Sequence, residues 1–136
     1  MNGRFILKGQ GTREELDWGV MEWIAHPPNS GAQDLTFIRV TLTPGGGHDF
    51  HKHPDQEEVI YVNKGQITQW LEDQEQVLQP GEAIYIPKGV VHASFNADDA
   101  SEDAEMLVVL GPCVGELGYE TVDVSGEAPW ASLRAK

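Results

Sequence analysis

The sequence holds a single cysteine, Cys113, among 136 residues, which excludes a disulfide within the chain. A fold that manages without that crosslink suits a reducing compartment, and the expected location is the cytoplasm. No run of 18 or more apolar residues occurs, so no transmembrane helix is expected. The first ten residues carry Arg4 and Lys8 but lack the apolar stretch of a secretory leader. Positive charge is scarce as well: nine Lys and Arg stand against 22 Asp and Glu, a formal net charge of −13. Such a surface repels phosphate backbones and no basic stripe offsets it, so nucleic acid is not an expected partner. No helix-turn-helix pattern fits in the first 30 residues, which argues against a regulator that reads DNA. Internal repeats, low-complexity segments and long helical periodicity are also absent.

What is present is a chain that turns often. Hydrophobic residues make up 40% of it, enough for one core, and 15 glycines and 8 prolines punctuate it. Residues 35–42 alternate, with Thr36, Ile38, Val40 and Leu42 on one face and Phe37, Arg39 and Thr41 on the other. That period of two predicts a half-buried strand. Further strands are expected over residues 58–63, 66–71, 75–78, 83–86, 91–95 and 105–110, each pair separated by a turn. Closely spaced strands without helices between them predict an antiparallel sandwich or barrel. Thr12-Arg13-Glu14-Glu15 has the spacing of a helix capping box, so a turn or a short helix of at most one or two turns is expected there. Residues 96–103 read as a solvated acidic loop, and residues 126–136 as an irregular tail.

Three of the five histidines fall between residues 48 and 53. His51 and His53 are two apart, so on a strand they point to one face. Two neutral imidazoles on one face can chelate a first-row metal; the alternative is a solvated strand end. His48, three residues before His51, falls on the opposite face of a regular strand and is expected to be exposed or to support the site from behind. His26, followed by Pro27-Pro28, is expected in a loop without a site role.

The histidines belong to a longer pattern. Gly45 is followed by five residues, His51-x-His53, four residues, Glu58, six residues and Gly65. Fifteen residues later, Gly81, Pro87, Gly89, His92 and Asn96 follow in a second fixed pattern. The two segments resemble the two cupin motifs, and their single occurrence resembles a small monocupin. The resemblance implies an all-β, double-stranded β-helix (jelly-roll) barrel with few or no helices. It implies one domain over residues 1–136, with a motif core at 45–96, flanking strands in 1–44 and 97–125, and the tail at 126–136.

The resemblance also places His51, His53, Glu58 and His92 as ligands of one divalent transition metal ion: Fe, Mn, Co, Ni, Cu or Zn. Glu57 competes for the carboxylate position, but the six-residue spacing to Gly65 selects Glu58. Four protein ligands on an octahedral ion leave two positions for water, substrate or O2. Gly45, Gly65, Gly81 and Gly89 are expected at turns with positive φ, and Asn96 at a supported strand end. Phe50, Ile60, Val62, Trp70, Tyr85 and Phe95 are candidate pocket walls, with core packing the default for each. Cys113 is expected to be a free thiol.

Similar proteins include oxygenases, decarboxylases, isomerases, lyases and non-catalytic binders. The expectation is a metal-dependent enzyme acting on a small organic substrate, with dioxygenase-like chemistry favoured. The alternatives are a metal-dependent isomerase, lyase or decarboxylase, and a small-molecule binding or sensing module without turnover. By analogy with single-motif cupins a homodimer is expected, with the segment around residues 18–24 contributing to its interface.

Overall fold

A computed structural model describes residues 3–134 of the chain. Eleven strands appear in order: β1 (Thr12–Leu16), β2 (Gly19–Ala25), β3 (Thr36–Leu42), β4 (Gly47–Lys52), β5 (Glu57–Lys64), β6 (Ile67–Leu71), β7 (Gln74–Leu78), β8 (Ala83–Ile86), β9 (His92–Phe95), β10 (Ala104–Gly111) and β11 (Val122–Asp123). Two helices of four residues each, α1 (Pro27–Ser30) and α2 (Trp130–Leu133), are the only helices among the described residues. The strands form two antiparallel sheets, ordered β1-β2-β3-β10-β5-β8 and β11-β4-β9-β6-β7.

Alternation along the strands decides which side chains fill the space between the sheets. Thr36, Ile38, Val40 and Leu42 of β3 are buried, as the period of two predicts. Met106, Val108 and Leu110 of β10 and Ile60 and Val62 of β5 meet them across the ladder, because β10 pairs with both neighbours. Burying a side chain of this size contributes about 1.5–3 kcal/mol.

A second apolar cluster lies on the outer side of the smaller sheet. Phe50, Trp70, Ala93 and Phe95 alternate outward while His51, Gln69, His92 and Ser94 alternate inward. Trp130 and Leu133 of α2 pack on that outer cluster, so the segment read as an irregular tail forms a short helix that covers the sheet. Phe50, Trp70 and Phe95 therefore belong to this outer core and line no cavity around the histidines. Tyr85 is exposed on the outer face of the larger sheet. Of the candidate walls, only Ile60 borders the histidine cluster.

The helix expected after Thr12 is not formed. Thr12–Leu16 is β1, paired residue by residue with β2 from Thr12↔Trp23 to Leu16↔Gly19. The capping-box spacing is a local signal, and here the ladder to β2 overrides it. The four motif glycines do occupy turns that need positive φ: Gly45 at 74°, Gly65 at 73°, Gly81 at 94° and Gly89 at 75°. Asn96 ties its strand end down, its Nδ2 donating to the carbonyls of Leu42 at 3.1 Å and Glu102 at 3.0 Å.

Ile38 is fully buried at the centre of the inter-sheet core. Ile38→Ala is expected to lower the unfolding free energy by about 2–5 kcal/mol, measured by urea denaturation.

Candidate metal centre

His51, His53, Glu58 and His92 converge inside the barrel, each 5% exposed or less. His51 comes from β4 and pairs with His92 at the start of β9, while Glu58 reaches in from the opposite sheet. His53 follows β4 directly. One potential ligand atom from each of the three histidines lies within 4.8 Å of the others, a placement that can hold a metal ion.

The other ring nitrogen of each histidine is engaged. His51 Nδ1 lies 2.6 Å from the Asp49 carbonyl oxygen, His53 Nδ1 2.7 Å from that of Glu120, and His92 Nδ1 3.0 Å from that of Val90. A carbonyl only accepts, so Nδ1 carries the proton in all three rings. Each Nε2 is thereby left as a lone-pair donor toward the interior.

Glu58 Oε1 is 3.3 Å from His53 Nε2 and 2.8 Å from His92 Nε2. Neither approach is aligned as a hydrogen bond, and these three buried atoms lack hydrogen-bond partners. Buried polar atoms are normally paired, so three orphans facing one another fit a cation held between them. Three imidazoles and one carboxylate form a donor set that suits first-row transition metals.

Charge follows the same geometry. Burial disfavours the Glu58 carboxylate, but His92 and His53 outweigh it and hold the carboxyl well below its usual range. Burial acts against the His92 cation too, yet Glu58 overrides it and raises the imidazole above its usual value. His51, buried among other imidazoles, is pushed well below the ordinary histidine value by burial and then by His48.

Glu57 is exposed and Glu58 buried, so only Glu58 faces the histidines. His48 departs from the expected alternation. The register of β4 against β9 shifts between His48 and His51, and the His48 ring stacks on His51 with centroids 3.6 Å apart. Burial, followed by the nearby His53, lowers His48 to about 4. His26 caps α1 away from this cluster, stacked on Trp23 and with Nδ1 3.2 Å from the Leu117 carbonyl oxygen. Cys113 is a free thiol whose Sγ donates to the Leu35 carbonyl at 3.1 Å.

The segment after β10 closes one side of the site. Gln56, 1% exposed, donates from Nε2 to the carbonyls of Pro112 at 2.8 Å and Gly118 at 2.9 Å. Its Oε1 accepts the Glu120 N–H at 3.0 Å. The same strap carries Tyr119 against the His53 ring, centroids 5.1 Å apart, and Glu120, whose carbonyl fixes His53. Burial raises the Tyr119 hydroxyl well above the usual phenol range. Trp18, Met21, Ser94 and Tyr119 also line the cavity at the histidines, and the sequence pattern singled out none of them. Trp18 sits in a turn and Tyr119 in an irregular strap, where periodicity carries no signal.

Residues 38–110 match the family model described as Cupin domain. The chain belongs to the cupin family. Its fold agrees: the polyketide cyclase RemF from Streptomyces resistomycificus superposes with a TM-score of 0.72 at 20% identity, covering 96% of this chain and 97% of that one. In sequence, this cupin is 31% identical to Protein SchB from Streptomyces halstedii over 106 residues, 76% of this chain and 75% of SchB. It is 30% identical to Oxalate oxidase 2 from Hordeum vulgare over 102 residues, 69% of this chain but 42% of the barley protein. This cupin spans about a third of the length of the plant germin-like proteins it also matches.

Gln56→Leu strands the Pro112 carbonyl and the Glu120 N–H of the strap while preserving volume, and the Gly118 carbonyl keeps the Thr36 hydroxyl as donor. It is expected to lower the unfolding free energy by about 1–3 kcal/mol per stranded group in urea titrations. By NMR, faster exchange of the His53 Nδ1 proton is expected alongside.

Proposed function

We propose that this cupin is a metal-dependent enzyme. It holds one divalent transition metal ion through His51, His53, Glu58 and His92 and acts on a small organic substrate, with oxygen-dependent, dioxygenase-like chemistry favoured. The observation that carries this reading is the convergence of the unpartnered His53 Nε2, His92 Nε2 and Glu58 Oε1 beside His51 in the barrel interior. The similarity to a protein named as an oxalate oxidase supports the redox preference.

A bound ion would supply Lewis-acid polarisation of a substrate oxygen and, if redox-active, electrons to O2. The protein's own contribution is preorganisation. The carbonyls of Asp49, Val90 and Glu120 hold the imidazoles in one tautomer, so that in each neutral ring the Nε2 lone pair faces the interior. Glu58 is kept ionised by its imidazole neighbours and supplies the one negative charge of the cluster. Ile38, Val40, Ile60, Met106 and Val108 wall the cavity and keep bulk water away from the reacting centre.

Assembly as a homodimer belongs to the same reading. Support comes from Val59, Tyr61, Tyr85 and Val109, exposed together on the outer face of the larger sheet. Light scattering at micromolar concentration should give twice the 15.0 kDa chain mass; a monomer overturns it.

Elemental analysis of tag-free protein purified without chelator tests the metal reading. About one equivalent of a transition metal is expected in the wild type and in Glu57→Ala. His51→Ala, His92→Ala and Glu58→Ala should each lose it. Full occupancy in those three variants, or no metal after reconstitution with any candidate ion, overturns the assignment. Chelation is expected to destabilise the fold, by about 2.7 kcal/mol if free metal had stood at 100 times its Kd, read as a drop in Tm. Oxygen consumption in the presence of candidate substrates decides between redox and non-redox chemistry.

A further inference from the structure

The cavity at the histidines leaves about 20 Å³ for guests, room for about one water. No organic substrate fits it as it stands. Beyond it lies a groove of about 330 Å³, within the size range of small-ligand sites. The two spaces share Trp18, Met21, His48 and Tyr119 as a common wall. At that wall the Trp18 and His48 rings are stacked, with centroids 5.4 Å apart and planes 13° from parallel, and His48 stacks in turn on His51.

The Trp18 carbonyl accepts from the Thr43 N–H and from its hydroxyl, both at 3.2 Å, which fixes the turn between β1 and β2. The indole itself is half-buried, packed against the inter-sheet core on one side and on the His48 ring on the other.

The chemistry of the groove is equally specific. Trp18, Trp23 and Tyr119 present three ring systems, with Leu16 and Leu117 at the edges. Among the described residues, no Lys or Arg lines either the groove or the cavity. The one carboxylate in the groove, Glu14, already faces the Trp23 indole N–H at 3.3 Å. A small dianion finds no side-chain cation here, whereas a flat apolar body finds aromatic faces on several sides.

We propose that this groove is the outer seat of the substrate, selecting an uncharged aromatic or fused-ring molecule. The Trp18–His48 stack is the door that must part for an oxygen-bearing end of that molecule to reach the histidine cavity. The inner end of this placement rests on the metal-enzyme reading; the groove's selectivity does not.

The test is isothermal titration of the purified protein, as isolated and after chelator treatment, with 2-naphthol and with oxalate as probes. Naphthol is expected to bind both preparations, at least tenfold more tightly than oxalate binds the chelator-treated one. Trp18→Ala should weaken naphthol at least fivefold with metal content unchanged, and Trp18→Phe should restore binding to within twofold. Leu117→Arg, a change at an exposed loop residue, should weaken naphthol and strengthen oxalate. Tighter oxalate than naphthol in the metal-free protein, or naphthol binding that ignores both Trp18→Ala and Leu117→Arg, overturns the proposal. A protein that takes up no metal yet binds naphthol in this pattern would sink the enzyme reading and leave the groove assignment standing.

Discussion

Three hydrogen bonds from imidazole Nδ1 to backbone carbonyls organise everything else at the centre of this barrel. Each commits a histidine to one tautomer and turns its Nε2 inward. Two of the acceptors, Asp49 and Val90, lie two residues before the histidine they serve, so β4 and β9 orient His51 and His92 locally. The third, Glu120, is 67 residues from His53 and is brought to it by a closing strap that Gln56, Thr36 and the pairing of β11 with β4 anchor. A carboxylate facing these rings in an apolar interior would be costly alone; the imidazoles around Glu58 offset that cost. The site is thus an electrostatic unit whose members depend on one another, within a wall that contributes shape and dryness.

Most of the barrel and much of the cluster could be read from residue spacing. Alternation in β3 and β10 is strong because one face is buried against the opposite sheet, and the glycine positions mark turns that require positive φ. The gathering of His51, His53, Glu58 and His92 followed from fixed spacings that encode strand lengths and turns. Other features were hidden for identifiable reasons. The capping-box spacing at Thr12 is a four-residue signal, and it loses to a ladder made with residues up to eleven positions away. A register shift, which leaves no mark in residue identity, brings His48 onto His51. Trp18 and Tyr119 reach the site from a turn and a strap, where side-chain direction is set by tertiary contacts rather than by period.

Phe50 and His51 are adjacent residues with opposite duties. Phe50 packs outward beneath α2 with Phe95 and Trp70, while His51 points into the barrel. The smaller sheet therefore has a packed layer on both faces, and the histidine-bearing strands are clamped between them. The outer face of the larger sheet, by contrast, leaves Val59, Tyr61, Tyr85 and Val109 exposed.

The portion of the chain that matches the family ends at residue 110, yet the carbonyl that orients His53 and the tyrosine beside it come from residues 119 and 120. The β1–β2 turn that supplies Trp18 lies outside that portion as well. The surroundings of the buried histidines are therefore completed by two segments, the β1–β2 turn and the strap, that can vary without any change in residues 38–110.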